Sequence, residues 1–155
     1  MRIWPIACKP HRATPPGRSG DNDGMSDDYG VSAKVDRDFE VTIADVKAAL
    51  GDQGFGVITE IDMQATLRSK IGVEIEPQVI LGACNPGFAN RALQAEPSIG
   101  LLLPCNVVVR RDGDMTVIEM INPSMMTTLT ANPEVAQVAS EVSDRLDAAM
   151  AAIVG

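Results

Sequence analysis

Apolar and polar positions first alternate at residues 33–39, where Ala33, Val35 and Arg37 interleave with Lys34, Asp36 and Asp38 ahead of Phe39. A period of two turns one side of the chain toward a core, so this predicts a strand. Val46, Ala49 and Leu50 then recur at helical spacing, behind Thr42 and Asp45 as a weak capping box, and predict a helix to about Gln53. Gly54 and Gly56 bracket Phe55 and turn the chain into a second strand, Val57 to Ile61. Gln64 to Ile71 reads as a short helix stopped by Gly72, and Gln78 to Ala83 as a third strand after Pro77. Asn85-Pro86 supplies a cap and a first helical residue for a helix reaching about Glu96.

Ile99 to Leu103 and Asn106 to Arg110 read as strand on either side of Pro104, which cannot donate to a ladder and so marks an edge, bulge or boundary. Asp112-Gly113 is a hairpin signal leading to a strand from Met115 to Ile121. Pro123 to Thr130 is a polar, Met-rich connection or short helix. Asn132-Pro133 then caps a last helix with Val135, Val138, Ala139, Val142, Leu146 and Ala149 on one face. The hairpin and the uneven spacing of elements predict an α+β fold, a mostly antiparallel sheet with helices on one face, rather than a doubly wound parallel sheet.

Residues 1–31 show no apolar period and are rich in Pro, Gly, Arg, Ser and Asp, so they are expected to form a disordered N-terminal arm, with residues 32–155 as a single domain. Two readings of the arm stand: a genuine flexible segment, or a chain that truly starts at Met25. The only His, His11, and one of the three cysteines, Cys8, fall in it.

Thirteen basic and 21 acidic residues give a net charge of −8, and beyond residue 24 the balance becomes nine against nineteen, or −10. Such a domain repels phosphate backbones and anionic bilayers, which argues against nucleic acid and membrane partners. No apolar run approaches the length of a membrane helix, no secretory signal is evident, and the odd number of cysteines fits a reducing compartment. The cytoplasm is the expected location.

With His11 outside the expected fold, Ser-His-Asp, Cys-His and His-based zinc chemistry lose their imidazole. No Gly-rich phosphate loop is present either. What remains is a pair of Cys-Asn dipeptides, Cys84-Asn85 and Cys105-Asn106, each at a strand end or break. Cys84 stands before a helix whose dipole favours a thiolate, with Arg91 as a source of positive charge. A cysteine closing an apolar strand also packs well as plain core, and the same holds for Cys105 within LLLPCNVVV. If the two strands are neighbours, Cys84, Asn85, Cys105 and Asn106, with Met120 nearby, share one ligand-binding pocket. The two thiols would then hold a soft metal, close a reversible disulfide, or give half of a four-sulfur site across a dimer. Met125 and Met126 add to a soft lining, though Met more often fills gaps in a core. Glu60 and Asp62, two apart on a strand, point the same way, as an acid/base pair or a solvated face would.

The stretches GFGVITEIDMQATLRSKIG and VILGACNPGFANRALQAEPSIGLLLPCNVVVRRDGD resemble a bacterial and archaeal family called domain of unknown function 302, over about residues 33–154. Ile80 to Pro86 and Leu102 to Val107 correspond to its two signature phrases, and the arm has no counterpart. The resemblance implies a TATA-binding-protein-like fold, β-α-β4-α with extra short helices, usually as a homodimer. It implies no established reaction or cofactor. The signature phrases favour a shared site at Cys84 and Cys105, whereas the fold likeness imports no DNA binding, since the charge has the wrong sign. Three functions follow in order of preference: a cytoplasmic binding module for a small ligand or soft metal, a structural or partner-binding homodimer, and a thiol-dependent redox enzyme.

Overall fold

The computed structural model describes residues 29–155. The expectations for Met25, His11 and Cys8 lie outside the described residues.

The first strand, β1 (Gly30–Val35), opens two residues before the expected domain start and is followed by α1 (Phe39–Asp52). The cap of α1 is Asp38 rather than Thr42. The Asp38 carboxylate accepts from the amides of Glu40 and Val41, and the Thr42 hydroxyl donates to the Asp38 carbonyl, so the helix gains an extra turn in which Thr42 is buried. Next come β2 (Gly56–Asp62), α2 (Met63–Ile71), β3 (Gln78–Cys84) and α3 (Pro86–Ala95). Residues Pro97–Leu102 form a 3₁₀ helix, which takes up most of the strand expected from Ile99 to Leu103. Pro97 starts it, only Ile99 is buried, and Leu101 stands 89% exposed, so no side of the segment has the alternation a strand would bury. Strands β4 (Cys105–Asp112) and β5 (Met115–Ile121) form the expected hairpin, turning at Gly113 with φ +62°. A 3₁₀ turn (Pro123–Met125), α4 (Met126–Leu129) and the long α5 (Pro133–Val154) complete the chain.

The five strands lie in the order β1-β5-β4-β3-β2, every pair antiparallel. The long elements therefore run β-α-β4-α, with the short helices as insertions. Val79, Leu81 and Ala83 of β3, Cys105, Val107 and Val109 of β4, and Ile118 and Met120 of β5 are buried toward the main helical layer. There they meet Val46 and Leu50 of α1 and the apolar stripe of α5, from Val135 to Ile153. Each fully buried aliphatic side chain contributes roughly 1.5–3 kcal/mol, so this one layer carries most of the stabilisation. Thr116, the polar group in it, donates its hydroxyl to the Arg37 carbonyl at 2.8 Å. The opposite sheet face presents the alternate residues, among them Ser32, Asn106, Val108, Arg110 and Glu119.

On β3, Gly82 pairs with both Thr59 and Asn106. A Cβ there would run into Thr59 Oγ1 and come within 2.7 Å of Pro104 Cγ, so glycine is required by close approach rather than by its φ. We expect Gly82→Ala to lower stability by about 1–3 kcal/mol, the cost of overpacking, read as a lower urea midpoint. An unchanged midpoint would show that Thr59 and Pro104 yield freely.

Candidate functional site

Three consecutive structural choices place the first thiol. The turn after α1 uses Gly54 at φ +81°, and it swings Phe55 inward to 4% exposure. A Cβ on Gly54 would lie 3.1 Å from Asn85 Nδ2, so this turn sits directly against the start of α3. Asn85 itself caps α3, its Oδ1 accepting from the amides of Gly87 (3.1 Å) and Phe88 (3.3 Å). Cys84 is the residue before this cap and the last of β3, and it is half-buried.

The second thiol comes from the neighbouring strand. Ala83 pairs directly with Cys105, which places the two Cys-Asn phrases side by side where β3 ends and β4 begins. Cys84 and Cys105 are both free thiols, and both border one cavity of about 30 Å³. Its walls are otherwise almost wholly apolar: Phe55, Phe88, Leu103, Pro123, Val138 and Val142 among them. Met126, at the start of α4, lines it as well, so the cavity is bordered by three sulfur-bearing residues. A space of this size admits a water or a single ion.

Burial pushes the Cys105 thiol up to about 11, and the nearby Cys84 adds to the shift. Arg91 does not serve Cys84: it forms a two-pronged ion pair with Glu141 at 2.8 and 2.9 Å and lies over the Phe88 ring, which ties α3 to α5. The Glu141 bond raises the Arg91 pKa, and the same bond lowers that of Glu141.

The remaining expected site residues lie elsewhere. Asn106 follows Cys105 on a regular strand and so faces the opposite side of the sheet. With Met120 it borders a separate cleft of about 440 Å³, together with Tyr29, Ser32, Val108, Glu119 and Ile121. Asn85 reaches the small cavity, but its carboxamide oxygen is committed to the cap. Glu60 and Asp62 share a face, pairing with Leu81 and Val79, yet each has its own partner: Glu60 takes Lys47 at 2.7 Å and Asp62 caps α2 through the Ala65 amide. Among the described residues no group of three His, Cys, Asp or Glu side chains is placed to hold a metal. Nor is any helix there long and apolar enough to cross a membrane.

The family model described as domain of unknown function DUF302 matches residues 31–153, nearly all of the described chain. The chain belongs to the DUF302 family. A solved DUF302 structure, the crystal structure of an uncharacterized conserved protein from Bacillus stearothermophilus, superposes with a TM-score of 0.74 at 29% identity, covering 79% of this chain and 96% of that one. No curated protein matches this sequence. The DUF302 fold here thus places both Cys-Asn phrases at one end of two adjacent strands.

Sequence reasoning named Met126 only as soft lining and chose Met120 for the site. The roof formed by Phe55 was not anticipated, although the Gly54-Phe55-Gly56 pattern was its signal. A thiol raised from 9.0 to about 11 has about a hundredfold less thiolate at pH 8 than an unshifted one. In a Cys84→Ser variant, Cys105 should therefore resist iodoacetamide at pH 8 and gain reactivity only as the pH climbs toward 11; ordinary reactivity at pH 8 would contradict the burial described.

Proposed function

We propose that this protein is a binding module for one soft monovalent metal ion, held between the thiols of Cys84 and Cys105. The observation that carries the reading is that two cysteines, 21 residues apart in sequence, border one small, almost wholly apolar cavity with room for an ion. Two thiolates suit Cu(I) or Ag(I), whereas a closed zinc site needs four ligands. A cation between the sulfurs reverses both causes that hold Cys105 protonated, burial and its neighbour. The amino end of α3, immediately after Cys84, adds positive potential for the anionic pair. The same shift weighs against the thiol-enzyme reading, because a thiol at about 11 is a poor nucleophile or resolving group near pH 7. Free thiols at both positions are in keeping with a reducing cytoplasm.

Anaerobic titration with Cu(I) against a competing chelator tests this. The wild type should bind one equivalent, and Cys84→Ser and Cys105→Ser should each bind at least about a hundredfold more weakly, more than the usual loss from outer-shell changes. Equal, weak binding by all three would reject the metal site. Because binding must displace the Cys105 proton, apparent affinity should rise by about tenfold per pH unit from that group alone between pH 6 and 8. An affinity independent of pH would mean that Cys105 is not a ligand.

A second reading concerns assembly. The sheet face away from α1 and α5 leaves Val108 and Ile121, which line the 440 Å³ cleft, only half-buried, and Ile61 on edge strand β2 44% exposed. We infer that a second copy covers this face in a homodimer. Sedimentation should give twice the chain mass for the wild type and the single mass for Val108→Glu. A wild-type monomer would refute it.

A further inference from the structure

We propose that Met126 is the third ligand of this site, its thioether completing a three-sulfur set that selects Cu(I) over Zn(II). The inference rests on the metal-binding reading of Cys84 and Cys105 and adds a residue and a selectivity to it.

Met126 is 6% exposed and borders the same 30 Å³ cavity as both thiols. The chain presents it there firmly. Asn122 caps the 3₁₀ turn through the Ser124 amide at 3.0 Å, and the Asn122 amide donates to the Tyr29 carbonyl at 2.8 Å, which pins the end of β5. Pro123, the next residue, is buried and lines the cavity too. Met126 thus borders the cavity from α4, an element separate from the two strands that carry the cysteines.

The chemistry of the donor set decides the ion. A thioether is neutral and soft, needs no deprotonation, and binds Cu(I) while offering little to Zn(II). Zn(II) would require further nitrogen, oxygen or thiolate ligands, and no His, Asp or Glu lines the cavity. The Asn85 oxygen is engaged by two backbone amides. Two thiolates and a thioether therefore make a trigonal site for Cu(I) and an incomplete one for Zn(II).

A buried Met is also ordinary packing, so the test must read coordination as well as affinity. X-ray absorption on the Cu(I)-loaded protein should show three sulfurs per copper in the wild type and two in Met126→Leu, a swap that preserves core volume. Affinity for Cu(I) should fall by about tenfold in Met126→Leu, and Zn(II) should bind weakly to both proteins. The wild-type coordination number stands without the variant, so a fold lost in Met126→Leu does not rescue the idea. Two sulfurs in the wild type, or equal affinity in wild type and Met126→Leu, overturns the role of Met126 while leaving the two-thiol site intact if the Cys variants lose binding. Absence of Cu(I) binding in the wild type overturns both.

Discussion

The antiparallel pairing of β3 with β4 sets everything else in this molecule. With Ala83 opposite Cys105 and Leu81 opposite Val107, the odd-numbered residues of both strands enter the helical layer together. A slip of one residue would turn Cys105 and Val107 outward and bring Asn106 and Val108 into the core, which no aliphatic layer of this kind tolerates. Gly82 adds to the constraint, because Thr59 and Pro104 press on it from either side and leave no room for a side chain. The same register sets Cys84, the residue after inward-facing Ala83 and the last of β3, next to Cys105 at one end of the strand pair, where both residues border one cavity.

Much of this was legible in the sequence, and the reasons are local. Asn85-Pro86 and Asn132-Pro133 carry their caps in adjacent residues, so the starts of α3 and α5 follow from the dipeptides alone. The Asp112-Gly113 signal likewise fixes a hairpin, and hence the pairing of β4 with β5. Where the signal competes with another, the reading fails. Thr42 looks like a cap by spacing, yet Asp38 is the better acceptor for two amides and starts the helix earlier. Ile99 to Leu103 is as apolar as a strand, but what makes a strand is a partner, and none lies beside it.

The candidate site shows the same division. That the strands of Cys84 and Cys105 are neighbours is open in the sequence and is settled by the β3–β4 pairing, whereas grouping Cys105 with Asn106 neglects the alternation that sends successive strand residues to opposite faces. Met120, expected at the pocket with the two cysteines, lies buried toward the core one pairing row from the cavity rather than on it. Met126 arrives through a turn, a short helix and a buried proline, a path set by tertiary packing that no spacing rule encodes. Physically the cavity is small and lined almost wholly by hydrocarbon and sulfur-bearing residues, and burial there keeps the Cys105 thiol protonated.

Crystals soaked with Ag(I), a monovalent surrogate for Cu(I), give the most direct test of the central claim, through the silver anomalous signal. One strong peak between the sulfurs of Cys84 and Cys105 is the predicted result. Silver bound only elsewhere on the protein, with that cavity empty, would contradict the account.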